Sequence, residues 1–194
     1  MASKSVDNWI KVDGKKFLTD IGIKPGQTVL DFGCGEGHYA IPASKLVGRA
    51  GHIYAMDKDA EVLDDLKKQV AHMGIKNMTL INGYSQIPLP RNSVDVVLCY
   101  DVIHFMDAQE RKIIYKETYR VLRDSGLFSV YPKHHKKDRP LMELANVALS
   151  GVIQEIENSN FILAKKFARK LLHNNSYDQG RVFNFQKGDP YAVD

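Results

Sequence analysis

The chain has 194 residues, a net charge of +4 and an apolar share of 44%. This length accommodates one α/β domain and would crowd two, and so small a charge does not by itself indicate a nucleic-acid-binding protein. No apolar run approaches the roughly 18 residues of a membrane span, and the start Met-Ala-Ser-Lys-Ser lacks the apolar core of a signal peptide. Cys34 and Cys99 form no C-x-x-C pair. We therefore expect a soluble cytoplasmic protein with free thiols.

The first 27 residues precede the first predicted strand. This segment is predicted to contain an amphipathic helix, because its apolar residues recur at helical spacing. These residues are Ile10, Phe17, Leu18 and Ile21. Gly22 and the Lys-Pro-Gly at 24–26 end this helix. Trp9 and Phe17 either pack onto the sheet or touch a substrate, and the sequence favours packing.

A glycine-rich turn follows the first strand, 28–32, which is apolar around Asp31. It contains Gly33, Gly35 and Gly37 and leads into a helix predicted over 38–46, whose Pro42 lies in the first turn and forfeits no hydrogen bond. In this arrangement a nucleotide-like ligand contacts backbone N–H groups, and glycine permits positive φ and close approach. The third glycine comes one residue too early for a dinucleotide turn, and a P-loop lysine is absent. A nicotinamide oxidoreductase is therefore disfavoured, while a purely structural turn stays open.

The second predicted strand, 52–56, ends at Asp57, roughly twenty residues beyond the glycine turn. A carboxylate at this place can accept both ribose hydroxyls of a nucleoside. Asp59 is the predicted N-cap of the next helix. The apolar face of that helix is predicted at Leu63, Leu66, Val70 and Met73. In the alternative assignment Asp57 belongs to the helix start and Asp59 binds the ribose.

Two further strands are predicted at 78–82 and 93–100, the second apolar on both faces as in a central parallel strand. Gly83, Tyr84 and Ser85 follow the first, and Asp-Val-Ile-His-Phe at 101–105 follows the second. Ligands of open parallel sheets bind beyond the carboxyl ends of the strands. Both segments are therefore candidate ligand contacts.

The second half is predicted to continue the alternation of helices and strands. A capping-box-like start at 107–110 opens a helix that runs to 123, with a buried side at Ile113, Ile114, Val121 and Leu122. Strand five is predicted at 127–131, a helix at 141–158, and two strands at 161–172 and 181–186 joined by a loop over 174–180. The basic segment 132–139 is either a solvated loop or a site favouring an anionic substrate or phosphate. Its His134 and His135 point different ways in an extended chain, so we assign no metal.

The D-x-G-x-G-x-G pattern at 31–37 resembles motif I of the class I S-adenosylmethionine-dependent methyltransferases, and later segments extend the resemblance over about residues 24–187. The pattern is most similar to the small-molecule group that contains the ubiquinone/menaquinone-biosynthesis enzymes (methyltransferase type 11). The resemblance implies a Rossmann-like, doubly wound, mostly parallel seven-stranded sheet of order 3-2-1-4-5-7-6, with an antiparallel last strand and helices on both faces. It implies a single domain over 1–194, with a helical leader at 1–24 and the core at 25–187.

The resemblance also implies S-adenosyl-L-methionine as cofactor. The cofactor-binding residues that it implies are Asp31, Gly33, Cys34, Gly35, Gly37, Asp57, Lys58, Gly83, Tyr84, Ser85, Tyr100 and Asp101. Tyr84 departs from the family's usual Gly-Asp-Ala, whose Asp reaches the adenine amino group. Tyrosine can stack on the base or offer its hydroxyl, and Ser85, Gln86 or backbone groups can read it. Asp101 either interacts through its negative charge with the sulfonium side of the cofactor or caps its loop.

His104 is the first candidate catalytic residue, as a base or a substrate-orienting donor, because imidazole titrates near neutrality. A role in shaping its loop is equally open. Tyr100 and His134 are further candidates for removing a proton from the acceptor, whose nucleophilic atom (O, C, N or S) is open. The absence of Asn/Asp-Pro-Pro-Tyr/Phe argues against an amino-directed nucleic-acid enzyme.

The expected partner is a small-molecule acceptor, and an anionic one is left open. Two alternatives stand beside it: an RNA-directed methyltransferase that uses 133–139, and a non-catalytic S-adenosylmethionine-binding module. The sequence leaves the oligomeric state open.

Overall fold

The computed structural model describes residues 3–134 and 141–188. Within them, seven strands form one sheet in the order β3-β2-β1-β4-β5-β7-β6. The strands are β1 Thr28–Phe32, β2 His52–Asp57, β3 Met78–Asn82, β4 Val94–Tyr100, β5 Leu122–Tyr131, β6 Phe161–His173 and β7 Ser176–Lys187. β1–β2, β2–β3 and β4–β5 pair in parallel, and β7 runs antiparallel to β5. The predicted fold class and strand order are confirmed.

The described α-helices are α1 Lys4–Asn8, α2 Gly14–Ile21, α3 Ala40–Val47, α4 Ala60–His72, α5 Ala108–Val121 and α6 Leu149–Glu157. A π-helical turn, Trp9–Asp13, joins α1 to α2, and short 3-10 turns lie at Ile103–Phe105 and Glu143–Asn146. The chain divides into two compact units, residues 1–84 with 169–180 and residues 85–168 with 181–194. The basic residues 135–139 lie outside the described part.

The helical leader of the first unit is built around Trp9. This side chain is fully buried, and its indole N–H donates to the His38 carbonyl at 2.8 Å. Its ring packs against Phe17, Tyr39 and Tyr177, with centroid distances of 5.4, 5.3 and 6.2 Å. Phe17 is also buried. Core packing therefore accounts for both aromatic residues that the sequence left between packing and substrate contact.

The buried face of α4 is shorter than predicted. Leu63 and Leu66 are buried, whereas Val70 is half-buried and Met73 is 37% exposed. The predicted start of this helix holds, because Asp59 accepts hydrogen bonds from the backbone N–H groups of Glu61 and Val62.

The second unit contains α5, whose capping box forms between Asp107 and Glu110 as predicted. The buried face of the helix carries residues three or four positions apart, Arg111, Ile114, Tyr115, Thr118 and Val121. Ile113 falls outside this spacing and is 46% exposed, so the prediction that it is buried is wrong.

Strand β5 begins at Leu122 instead of the predicted Leu127. Its register with β4 jumps from the pair Val94–Leu122 to the pair Val96–Leu127, so residues 123–126 form an irregularity inside the strand. The Lys187 ammonium donates there to the Leu122 carbonyl at 2.9 Å and to Asp124 at 3.2 Å. The sequence predicted that Asp-Ser-Gly at 124–126 ends the preceding helix. This prediction is wrong, because these residues lie inside β5.

The predicted helix over 141–158 is two elements, because Val147 and Ala148 have extended backbone angles between the 3-10 turn and α6. Neither residue is Gly or Pro, so the sequence carries no breaker signal there. The predicted loop over 174–180 is also wrong, since only Asn174 and Asn175 separate β6 from β7. Asn174 adopts a φ of 51°, which asparagine tolerates better than most residues.

Candidate cofactor and active site

The glycine turn after β1 is anchored on β2 by its own backbone. The N–H groups of Gly33 and Cys34 both donate to the Met56 carbonyl, at 2.8 and 3.0 Å. The Gly37 N–H donates to the Cys34 carbonyl at 2.9 Å, and the Gly35 N–H donates to Asp57 Oδ2 at 2.8 Å. These four amides have acceptors within the protein, whereas the sequence pattern predicts amides directed at a ligand.

The internal hydrogen bonds of the glycine turn distinguish ligands that contain phosphate from ligands that do not. A phosphate-binding turn works because unsatisfied N–H groups point at the anion. The amides of residues 33, 34, 35 and 37 are already used internally. The turn is therefore suited to a ligand without phosphate, which argues further against a dinucleotide.

Asp31 adds a buried carboxyl group at the same turn. Its side chain is 2% exposed, and within the described residues its Oδ2 has no hydrogen-bond partner. Burial and, secondarily, the negative charge of Asp57 raise the pKa of Asp31 to about 7, against a smaller opposing effect of the Ala40 backbone N–H. Two carboxyl groups held close enough to couple favour a positively charged ligand.

Asp57 and Asp59 have different partners. Asp57 is half-buried, and its Oδ1 accepts from the Asp59 N–H at 3.0 Å while its Oδ2 holds Gly35. Asp59 is exposed, and its Oδ1 caps α4. Asp57 thus lies against the glycine turn and Asp59 serves the helix, which favours Asp57 as the ribose acceptor. That role stays a prediction.

The ends of β2 and β3 carry the residues that depart from the family pattern. The Gly83 N–H donates to the Asp57 carbonyl at 2.9 Å, which fixes the two strand ends together. The Lys58 ammonium lies 5.3 Å from the centroid of the Tyr84 ring, within the range of a cation–π interaction. Tyr84 is half-buried and Ser85 is exposed. Sequence reasoning missed the Lys58–Tyr84 pair, although a tyrosine in the place of the usual acid was a visible signal.

Gly35 and Gly37 offer a matched test of the turn. Gly35 and Gly37 have φ of +49° and +80°. A Cβ on Gly37 would clash with Leu66 Cδ1, whereas one on Gly35 would meet nothing within 4 Å. We expect Gly37→Ala to lower the free energy of unfolding by about 3 kcal/mol, through strain and overpacking. Gly35→Ala should lower the free energy of unfolding by about 1–2 kcal/mol, because it adds backbone strain without a clash. Its methyl group would, however, enter the space proposed for the ligand and weaken binding. Denaturant unfolding and calorimetric titration of both variants check this, and equal losses of stability would contradict it.

Tyr100, at the end of β4, is buried. Its hydroxyl lies 2.6 Å from Ser129 Oγ, and Ser129 donates to Asn184 Oδ1 at 2.8 Å. Because a serine hydroxyl has one proton, Tyr100 is the donor in its bond to Ser129. This use of the phenol favours a structural role over the predicted catalytic one. Ser129 and Asn184 were missed, because isolated polar residues in distant strands give no local pattern.

His104 and His134 are brought together. His104 lies in the 3-10 turn after β4 and is 1% exposed, and His134 follows β5 and is 6% exposed. Their ring centroids are 4.8 Å apart, and Phe105 packs on His104 at 4.1 Å. Two of the three predicted catalytic residues are thus neighbours, and a buried imidazole pair can orient an acceptor or hold its proton.

Asp101 and His134 both have a left-handed backbone, with φ of 60° and 58°. Such conformations are uncommon outside glycine and often occur at functional sites. The Asp101 N–H donates to the Tyr131 carbonyl at 3.3 Å, which ties the end of β4 to that of β5.

Within residues 3–134 and 141–188, no three His, Cys, Asp or Glu side chains are grouped so that they could hold a metal ion. In the same ranges, every helix is too short or too polar to cross a membrane. Neither cysteine forms a disulfide in the described ranges, and both side chains are buried.

A sheet of this order, with a glycine turn after β1 and an acid at the end of β2, defines the Rossmann-like nucleoside-binding class. Residues 29–126 match the family described as methyltransferase domain. An arsenite methyltransferase of Halobacterium salinarum is 33% identical over 107 residues, 55% of this chain and 27% of that protein. A demethylmenaquinone methyltransferase of Staphylococcus aureus is 32% identical over 120 residues, 60% of this chain and 47% of that protein. A solved S-adenosylmethionine-dependent methyltransferase from Aquifex aeolicus superposes with a TM-score of 0.74 at 23% identity, covering 93% of both chains.

The chain therefore belongs to the methyltransferase domain family, and its fold is that of the class I S-adenosylmethionine-dependent methyltransferases. The predicted family and cofactor are confirmed. The matched segment spans about a quarter of the length of the arsenite enzyme and about half of the demethylmenaquinone enzyme.

The residues at the turn fit S-adenosylmethionine. The coupled carboxyl groups of Asp31 and Asp57 would complement its positive charge, and Gly35 leaves open the space that a side chain would fill. The cofactor carries no phosphate, so it does not need the amides that the turn uses internally.

Proposed function

We propose that this chain transfers the methyl group of S-adenosylmethionine to a small-molecule acceptor. The observation that carries the proposal is the pair of coupled acids, Asp31 and Asp57, beside a glycine turn whose amides are satisfied internally. This arrangement is suited to a cationic, phosphate-free nucleoside. The cofactor supplies an activated methyl group, so the protein has to bind, orient and exclude water.

The chain's own residues would share this work. Asp57 would accept the ribose hydroxyls, Asp31 would face positive charge, and Tyr84 would contact the base in place of the usual acid. His104 and His134 would orient the acceptor or hold the proton that it loses. The half-buried ring of Tyr84, steadied by Lys58, supports stacking rather than an acid–amine contact.

The cysteines bear on the class of acceptor. Arsenite is thiophilic, and soft thiolates are the ligands that select soft metals and metalloids. Cys34 and Cys99 are both buried, and burial, followed by the charges of Asp31 and Asp57, raises the pKa of the Cys34 thiol. A neutral, buried thiol is a poor arsenic ligand, so we propose an organic acceptor, as for the demethylmenaquinone relative. An anionic acceptor and a cytoplasmic location stay predictions of the sequence.

The RNA-directed alternative depends on segment 133–139, of which the structure describes Lys133 and His134. His134 is buried against His104, so it is no part of a solvated cationic surface. The small-molecule proposal is therefore the better supported of the two.

An acceptor panel tests the proposal. The purified chain is incubated with S-adenosylmethionine and small phenols, hydroquinones, carboxylic acids, thiols or total RNA, and S-adenosylhomocysteine formation is measured. We expect turnover with one small organic class and none with RNA. Binding of S-adenosylmethionine without turnover on any acceptor would favour the non-catalytic module, and RNA turnover that falls with salt would favour the RNA enzyme.

The pKa of Asp31 predicts pH-dependent cofactor binding. Below about pH 7 its carboxyl group is protonated in the ligand-free protein, and a cationic ligand favours the ionised form. Binding should therefore release a proton at pH 6, and affinity should rise with pH up to about 7 and then level off. Calorimetry in two buffers of different ionisation enthalpy measures the released proton.

Asp31→Asn is the control for this linkage, since its affinity should not depend on pH in that range. Because the pKa of Asp31 is raised in the folded protein, the folded state holds the carboxyl proton to a higher pH than the unfolded state does. The free energy of unfolding of the wild type should therefore decrease as the pH rises from about 4 to about 7. In Asp31→Asn this decline should be smaller. An identical pH profile for the two proteins would contradict the assignment.

A further inference from the structure

The second unit contains a cavity that the proposed methyl transfer does not use. Its volume is about 380 Å³, within the range of small-molecule sites. The start of α6 forms one wall, and facing stretches of β6 and β7 form the other. The residues that matter here are Leu149, Ile153, Lys166, Phe167, Arg181 and Phe183.

The walls of the cavity are apolar, with two aromatic rings. Phe167 and Phe183 are 6% and 4% exposed, so their positions are fixed by packing. Leu149 and Ile153 lie four positions apart on α6 and face the same cavity. An aromatic or short aliphatic body would gain free energy by leaving water there.

The charges at the cavity are of one sign. Lys166 and Arg181 both line it and are exposed. In the described part of the chain neither side chain has an ion pair, and no acidic residue lines the cavity. An arginine guanidinium binds a carboxylate through two parallel hydrogen bonds, and a lysine adds a second positive charge.

The position of the cavity is set by the sheet. Phe183 pairs with Val130 near the carboxyl end of β5. Because β7 runs antiparallel to β5, Arg181 lies further toward that end of the strand. Arg181 therefore lies toward the edge at which ligands enter sheets of this class.

We propose that this cavity binds a small organic carboxylate, its apolar body against Phe167, Phe183 and Ile153 and its anionic group on Arg181 and Lys166. The assignment concerns a binding site whose lining includes no residue of the glycine turn. It can be tested without S-adenosylmethionine, so it stands or falls independently of methyl transfer.

Isothermal titration of the full chain without cofactor provides the test. The probe is 2-naphthoate, and 2-naphthamide is the neutral molecule of the same shape. We expect naphthoate to bind about tenfold more tightly, because charge-assisted hydrogen bonds contribute more than neutral ones. Added salt should weaken the binding of naphthoate and leave the binding of naphthamide unchanged. Equal affinities, or inorganic phosphate competing as well as naphthoate, would overturn the proposal.

Variants locate the binding. The affinity for naphthoate should fall about fivefold in Arg181→Gln and in Lys166→Gln, while the affinity for naphthamide should stay the same. The matched control is Lys116→Gln, which removes one exposed cation on α5 and should change neither affinity. Ile153→Trp should fill the cavity and abolish binding of both probes. Undiminished binding in Ile153→Trp, or the same loss in Lys116→Gln as in Arg181→Gln, would place the probe elsewhere and refute the site.

Discussion

Asp57→Ala should weaken S-adenosylmethionine binding by at least roughly 100-fold, as measured by calorimetric titration. Two charge-assisted hydrogen bonds to ribose hydroxyls would be lost, each contributing about 1.5–3 kcal/mol. The same carboxylate accepts from the Gly35 N–H at 2.8 Å, so the substitution also releases the glycine turn. Asp57→Asn separates the two effects, because an amide oxygen can still accept from Gly35 while the charge is gone.

Asp59→Ala is the matched control for this prediction. It removes a neighbouring carboxylate whose Oδ1 accepts from the Glu61 and Val62 N–H groups at 3.0 and 3.3 Å. We expect it to cost about 1 kcal/mol of stability through loss of the helix cap, with cofactor affinity unchanged. If Asp59→Ala weakened binding and Asp57→Ala did not, the ribose role would pass to Asp59.

His104→Ala should lower turnover about 100-fold or more while leaving cofactor affinity within about twofold. The imidazole is buried, packs on Phe105 and faces His134, so its removal takes away an orienting or proton-holding group. Initial rates on the acceptor found in the panel, together with calorimetric titration of the cofactor, give the two readouts.

His104→Gln and His72→Ala complete the comparison. Glutamine retains a polar side chain of similar length and should support the loop without restoring proton transfer. His72 is an exposed histidine on α4, so its loss should change nothing. Unchanged turnover in His104→Ala would remove this residue from the mechanism and leave it the role of shaping its loop.

The sequence predicted those parts of the fold whose signals are local. The strand at Met78–Asn82, the capping box at Asp107 and Glu110, and the glycine turn each depend on residues adjacent in the chain. The sheet order followed from the resemblance of motifs. Two predictions failed because the sequence has no local signal there: the bulge at 123–126 is held by Lys187, far away in the chain, and the Val147–Ala148 break carries no Gly or Pro.

The candidate site divides in the same way. Asp31, Asp57 and His104 could be singled out because a carboxylate or histidine at a strand end is a visible pattern. That the turn's amides are satisfied internally could not be predicted, because it depends on the Met56 carbonyl and the Asp57 side chain, which belong to another strand. The bonds among Tyr100, Ser129 and Asn184 likewise join three strands.

The leader at the start of the chain is held by the tip of the β6–β7 hairpin near its other end. Ser3 donates to the Asn175 carbonyl at 2.7 Å, and Tyr39 donates to the Leu172 carbonyl at 2.6 Å. On the ribosome, Ser3 and Tyr39 must therefore wait for residues 172–175 before these contacts can form. Translation fixes the earliest time at which the aromatic cluster around Trp9 can close, and a nascent chain stalled before the hairpin would present that cluster to chaperones.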